Sequence, residues 1–273
     1  MIGIISSTQD IASMTIKEEL LKLKNWKEHD KFEGASTYAF DNFLLITISS
    51  IHIFSENIDA KIREETGVEF ECLVFISRHK SQTNMRTLTV HPIGNFSSAL
   101  MGGTPKKLVL TSPQLMTSAL RVLSMESKGL DYSVSFESTH HGPFLTTPTF
   151  YIEVGSDEGT WKDKSACKAI AKTVLKIEDT KYPVAIGIGG GHYSPRITDA
   201  ALSKKIAFGH ILPTYAIKEV SEDTIQEMIT ATPGATMVYF HRNAITGEEY
   251  GKIVKWLDKY GVSEVKKDNL SNI

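Results

Sequence analysis

Short apolar runs alternate along the chain with stretches in which apolar residues return every three or four positions. Runs of strand character fall at 2–6, 43–48, 71–77, 88–91, 107–111, 132–137, 149–154, 184–187, 206–210 and 237–241. Within 8–26, Ile11, Met14, Ile16, Leu20, Leu21 and Leu23 return at near-helical spacing. Ser112-Pro113 sets an N-cap serine before an N1 proline and opens a helix through Leu115, Leu120 and Leu123. Thr160 and Asp163 have the spacing of a capping box, with Asp in the usual Glu position, ahead of a helix over 166–177. Further helices are predicted at 195–203, 221–230 and 248–260.

Several strand runs are apolar at every position, as in V-A-I-G-I at 184–188. Strands of that kind are buried on both faces, and helices between them supply the cover. The expected class is α/β: a three-layer α/β/α sandwich around a mixed, largely parallel sheet. No repeat or low-complexity tract interrupts the chain, and the only boundary candidates are Gly142-Pro143 and the stretch around 209–214. One compact unit over 1–273 is expected, with room for a smaller C-terminal lobe from about 210 to 273. In such sheets ligands sit beyond the carboxyl ends of the strands, so strand-terminal residues are the first candidates for chemistry.

Five of the nine histidines stand at such ends: His79, His91, His140, His141 and His192. The stretch E-S-T-H-H-G-P at 137–143 adds Glu137, and imidazole with carboxylate is the donor set of hydrolytic zinc. The alternative is an edge strand ending in a wet turn, since Gly-Pro is a strong turn signal. The stretch G-I-G-G-G-H-Y-S-P-R at 187–196 fails both nucleotide fingerprints: His192 occupies the third glycine of G-x-G-x-x-G, and no G-K-[ST] follows. What remains is a strand, a turn of Gly189, Gly190 and Gly191, and a helix opened by Ser194-Pro195. Its free amides suit an anionic or carbonyl oxygen, unless the turn is a plain tight connection. S-R-H-K at 77–80 matches S-x-x-K, but so does Ser165 to Lys168 in a plain amphipathic stretch, and no G-x-S-x-G elbow occurs. Arg78, Lys80 and Arg196 read as phosphate or carboxylate contacts or as solvated surface. His29 and His52 read as structural, and His210 and His241 end strands in weaker motifs.

Composition narrows the options. With 41% hydrophobic and 23% charged residues the chain is an ordinary globular protein, long enough to bury a core without disulfides. Cys72 and Cys167 are expected to be reduced, buried thiols in a cytoplasmic protein, and two cysteines exclude a structural zinc ribbon. The longest apolar stretch, 43–54, is well short of the roughly 20 residues a bilayer requires, and the start lacks a basic lead, so neither membrane span nor signal peptide is expected. Lysine and arginine number 30 against 32 acidic residues, a net charge of −2. A protein gripping long nucleic-acid backbones would carry a basic surplus, so a nucleic-acid partner should be held locally, at one end of a strand.

S-R-H-K-S at 77–81, L-T-V-H-P-I-G-N at 88–95, E-S-T-H-H-G-P and G-I-G-G-G-H-Y-S-P-R together resemble the archaeal and plant type of D-aminoacyl-tRNA deacylase. The resemblance runs from the N-terminal G-I-I-S-S-T-Q-D to past residue 210. It implies hydrolysis of the ester joining a D-amino acid to the terminal ribose of tRNA, a zinc cofactor, and a fold similar to phosphorylase and peptidyl-tRNA hydrolase-like sandwiches. Under it, metal ligands come from His79, His91, His140, His141 and His192. Glu137 with His140, His141 and His192 forms the catalytic set, while Arg78, Lys80, Gly189, Gly190, Gly191, Ser194 and Arg196 contact substrate. The expected partner is the acceptor end of tRNA carrying a D-amino acid, bound by a monomer that implies no protein partner and no membrane. The competing readings are another metal-assisted hydrolase, such as a peptidyl-tRNA hydrolase or aminopeptidase, and a non-catalytic tRNA-binding module.

Overall fold

One sheet of eight strands runs, edge to edge, β2 (Lys27–Phe32), β3 (Ala35–Phe40), β4 (Phe43–Ile48), β1 (Ile2–Ser7), β5 (Cys72–Lys80), β8 (Thr149–Ser156), β6 (Thr87–Pro92) and β7 (Ser133–Phe136). A second sheet of four runs β10 (Ala207–Leu212), β9 (Val184–Ile188), β11 (Ala235–Phe240) and β12 (Ser263–Glu264). These come from a computed structural model that describes residues 1–81 and 85–273. The central strands β4, β1, β5 and β8 are parallel, β6 and β7 run parallel to each other and antiparallel to β8, and the second sheet is parallel throughout. The expected α/β class with a mixed, largely parallel sheet is therefore what the chain adopts.

The continuous apolar strands are explained by what covers them. Ile2 and Ile4 of β1 and Val74 and Ile76 of β5 point into a core shared with α1 (Ile11–Leu23), α3 (Pro113–Glu126) and α5 (Lys164–Val174). Their alternate neighbours Ile5, Leu73 and Phe75 point to the opposite face, where α2 (Ile58–Thr66) supplies Ile58 and Ile62. Each of these fully buried side chains stabilises the fold by roughly 1.5–3 kcal/mol relative to exposure. In the second sheet, Ile186, Ile188, Val238 and Phe240 pack on α7 (Glu222–Thr230) and α8 (Gly247–Lys259). Ala185, Phe208 and Ile211 face the first core instead, so one apolar layer is common to both sheets.

Helix α3 bridges the sheets: the Arg121 guanidinium donates to the carbonyls of Ala201 at 2.7 Å, Lys204 at 2.7 Å and Ile206 at 3.0 Å. These carbonyls lie at the end of α6 (Pro195–Ser203) and its exit, where helical partners run out; that of Lys204 also accepts from the Ile206 amide at 2.9 Å. Both cysteines are buried and free, and burial pushes the Cys167 thiol up to about 12.

Four local features depart from the sequence reading. Residues 107–111 form no strand; Leu108 makes a single bridge to Gly94, and the segment is apolar because Leu108 and Val109 are buried. Thr160 closes a capping box opened by Asp157 on the short α4 (Glu158–Trp161), and Asp163 is the N-cap of α5, so one predicted box is two consecutive caps. The hairpin β2–β3 was not predicted because β2, K-E-H-D-K-F, is exposed at all but its last position. Nor was α2, which shows the core little beyond Ile58 and Ile62.

Candidate functional site

Strand β7 ends at Phe136, and the next residues pass between the two sheets. Glu137 bridges Tyr193, the amide of Ser138 donates to the His192 carbonyl at 2.8 Å, and that of Thr139 donates to Ile211 at 2.9 Å. On the other side, the Gly94 amide donates to the His141 carbonyl at 3.0 Å. The E-S-T-H-H stretch is thus an extended seam rather than a helix. It carries Glu137, His140 and His141 alongside His79 of β5 and His91 of β6, strands that run in opposite directions on either side of β8, while the β9–α6 turn brings His192 from the second sheet.

All five strand-end histidines converge. His79 Nδ1 lies 3.1 Å from Glu137 Oε1 and 3.5 Å from Glu153 Oε2; His192 Nε2 lies 3.1 Å from Glu137 Oε2, and His140 Nε2 lies 3.6 Å from the same oxygen. His91 Nε2 stands 3.7 Å from Glu153 Oε2. The His91 and His140 rings are 4.3 Å apart, and the buried Tyr151 ring stacks on His91 at 5.0 Å. Among the described residues three overlapping groups could hold a cation: His91 with His140 and His141, His79 with Glu137 and His192, and His91 with Glu137 and Glu153.

The donor chemistry fits a metal. Nδ1 of His91, His140 and His141 each meets a backbone carbonyl, of Pro92 at 3.1 Å, Ser138 at 2.7 Å and Gly142 at 2.7 Å. A carbonyl only accepts, so each Nδ1 carries the proton and each Nε2 keeps its lone pair, the tautomer a metal ligand requires. His91 Nε2 and both Glu137 oxygens are buried without a hydrogen bond despite the nearby imidazoles. Orphaned buried acceptors are costly in a native interior unless an ion completes them.

Electrostatics points the same way. Burial opposes charge on His79 and His91, but the neighbouring Glu153 and Glu137 carboxylates prevail and raise both. Burial likewise opposes ionisation of Glu137, yet the His192 imidazole 3.1 Å away and the His79 and His91 charges pull it down to about 2, and Glu153, also buried, is lowered by His79 and His91. His140 is held well below its ordinary value and His141 at about 4, first by burial and then by His91. Two ionised carboxylates therefore face two neutral imidazoles, a set ready for a divalent cation.

The nest opens into a cleft of about 460 Å³ bordered by Arg78, Lys80, Asp10, His52 and Asn95. Asp10, the N-cap of α1, accepts from the Ser77 hydroxyl at 3.0 Å and the Arg78 amide at 2.9 Å, fixing β5 just before His79. Arg78 and Lys80 sit at the rim; Arg196 is exposed on the second sheet's side and does not border the cleft. The Gly189 amide donates to Leu212 at 2.8 Å, the Gly190 amide to the Thr214 hydroxyl at 3.0 Å and the Ser194 amide to Phe136 at 3.0 Å, while Ser194 Oγ is buried without a partner. Those amides hold the turn that aims His192. Gly191 completes the turn and is exposed.

Sequence reasoning passed over Glu153, Tyr151, Asp10 and Tyr193. Glu153 carried a readable signal, a lone carboxylate within the apolar run T-F-Y-I-E-V. Such a residue persists in a buried strand only with partners. Tyr193, which meets His79 Nε2 at 3.0 Å, had none.

The fold and the nest define an α/β protein with a histidine–carboxylate centre where β5, β8 and β6 meet the β9–α6 turn. The chain belongs to the D-aminoacyl-tRNA deacylase family, whose model matches residues 66–265. It is 37% identical to the D-aminoacyl-tRNA deacylase of Methanosarcina acetivorans, over 98% of this chain and 93% of that one. It is 39% identical to that of Methanosarcina barkeri over 98% and 90%, and 33% identical to that of Pyrococcus furiosus over 96% and 98%. A crystal structure of a conserved protein of unknown function superposes with a TM-score of 0.93 at 27% identity, covering 100% of this chain and 99% of that one.

Proposed function

We propose that the protein hydrolyses the ester of D-aminoacyl-tRNA, releasing free tRNA and the D-amino acid, with zinc as its cofactor. The observation that supports this most strongly is the closure of five histidines and two carboxylates on one cleft in a chain of the deacylase family. Zinc would be held by His91, His140 and His141, and by His79, Glu137 and His192, with Glu153 beside both sets. When bound, it supplies Lewis acidity and lowers the pKa of water.

The chain's own residues do the rest. An aminoacyl ester is already activated, so the site must position a water, accept its proton and steady the oxyanion. Glu137, ionised and buried between His79, His140 and His192, is placed to orient those imidazoles or take the proton. Lys80 and Arg78 at the rim suit the terminal phosphate. The Gly189, Gly190 and Gly191 turn with Ser194 presents His192, and Arg196 is left to the tRNA body. Selection for the D form is a matter of shape, with an L side chain directed into the cleft wall. We place the protein in the cytoplasm as a monomer acting without a protein partner. Among the described residues no helix is long and apolar enough to cross a membrane.

The decisive experiment compares release from D-tyrosyl-tRNA and L-tyrosyl-tRNA by protein stripped with chelator and then given zinc. D-selective release restored by zinc is expected. D-selective release indifferent to complete metal removal would recast the histidines as acid, base and tRNA contacts, and release of neither ester would overturn the reading.

A further inference from the structure

The cleft has one wall unlike the rest. Leu100 is 85% exposed, Met101 55%, Phe54 55% and Ile51 37%, and Ile51, Leu100 and Met101 border the cleft directly. Exposed apolar side chains therefore gather at the mouth of the cleft, with Phe54 beside Gly102 next to them. Contiguous exposed apolar surface beside a site marks a contact with a ligand.

This ledge is rigidly built. The Gly142 amide, next to His141, donates to the Met101 carbonyl at 3.0 Å; Asn95 Nδ2 donates to Gly102 at 3.0 Å; and Glu56 accepts from the Gly103 amide at 2.6 Å and the Phe144 amide at 2.7 Å. A Cβ on Gly142 would stand 2.2 Å from the Gly103 nitrogen, and one on Gly102 1.7 Å from the Ile53 carbonyl oxygen, so three backbones interlock there. Gly102 and Gly103 also hold φ of 76° and 80°, which other residues adopt only with strain. The ledge is pinned to the same segment that places His140 and His141.

We infer that the ledge of Ile51, Phe54, Leu100 and Met101 receives the terminal adenine base of the tRNA. The inference rests on the deacylase reading of the cleft. The substrate is ordered along its length: the ester must reach the buried nest, where His91 and Glu137 are fully enclosed, and the tRNA body must stay outside a cleft of about 460 Å³. The ribose and its base span the interval, and the ledge lies at that level, between the enclosed ligands and solvent. A base presents a flat apolar face, which stacks on apolar side chains without regard to sequence. Binding energy drawn from this constant part of the substrate serves every amino acid equally. The amino-acid side chain, one atom from the reacting carbonyl, belongs deeper in the cleft.

The test uses the zinc-loaded protein and its Leu100→Ser/Met101→Ser variant, in which both changes are exposed and leave the core untouched. Three substrates are compared: D-tyrosyl-tRNA, D-alanyl-tRNA and D-tyrosine ethyl ester, which has no base. We expect kcat/KM to fall tenfold or more, by the same factor, on both tRNA esters and to stay unchanged on the ethyl ester. Loss on D-tyrosyl-tRNA alone would assign the ledge to the amino-acid side chain, and loss on all three or on none would equally overturn the inference. Titration of the unacylated trinucleotide CCA, followed by the Met101 methyl resonance, separates this result from the activity itself. A CCA-dependent shift in a protein that cleaves no D-ester would sink the deacylase reading and keep the ledge. D-selective cleavage with no shift would do the reverse.

Discussion

Two fully buried histidines carried on strands are chemically opposite. His210 on β10 meets the Thr139 hydroxyl through Nδ1 at 3.0 Å and donates through Nε2 to the Val109 carbonyl at 2.9 Å. Both nitrogens are satisfied, and burial holds the ring neutral with its pKa lowered to about 4. His91 on β6 has its Nδ1 satisfied by Pro92, but its Nε2 is an orphan facing Glu153, whose charge prevails over burial and raises it. A buried imidazole with two neutral partners is architecture. One with a free lone pair among carboxylates is kept for something absent from the chain, and the difference lies wholly in the neighbours.

The largest test of that contrast is catalytic. Alanine at His140 or His192 should lower D-tyrosyl-tRNA deacylation on the order of 10³-fold, about 4 kcal/mol, while leaving the circular dichroism spectrum intact. His210→Gln should lose far less per folded molecule, and equal losses at the two kinds of site would erase the distinction.

The next effect concerns pH. Between about pH 6.5 and pH 4 the unfolded chain binds a proton that folded His210 refuses, so its contribution to stability falls as pH drops through that window, by at most about 3 kcal/mol. Urea midpoints across the window should decline less steeply for His210→Gln than for the wild type, and parallel declines would show that His210 is not excluding its proton.

A smaller shift separates the sites by metal. Zinc at a hundredfold excess over its dissociation constant should add about 2.7 kcal/mol to unfolding by linkage. The gain should vanish in His91→Ala and survive in His210→Gln, a comparison of melting temperatures that needs no substrate. The least effect is expected at Thr139, which holds His210 and also accepts the Ile211 amide at 2.9 Å. Thr139→Val should cost about 1 kcal/mol of stability and only a few-fold in turnover. A turnover loss as large as that of His140→Ala would mean that the seam beneath the nest is itself part of the catalytic geometry.

How much of this was legible in the chain varied with the length scale of the cause. The α/β class, most of the central strands and the helix over 195–203 follow from local periodicity, because burial on one face or two writes itself into residue order. The exposed hairpin β2–β3 escaped because an edge strand with polar faces has no such signature. His79, His91, His140, His141 and His192 could be named as strand-end residues and His210 set apart by its weaker motif, but the orphaned Nε2 that distinguishes His91 is not written in residue order.

The sequence by itself determined the inventory: which residues are apolar at which period, that five histidines end strands, and that a glycine-rich turn precedes His192. Tertiary structure alone decided that Glu137 stands 3.1 Å from both His79 and His192, that Glu153 joins them, and that Leu100 and Met101 lie beside His141 at the mouth. The physical reason is that a site is made of pairwise distances between residues far apart in the chain. Strand order, set by the packing of whole faces, brings β5, β6, β8 and the β9–α6 turn together, and no spacing along the sequence encodes that order.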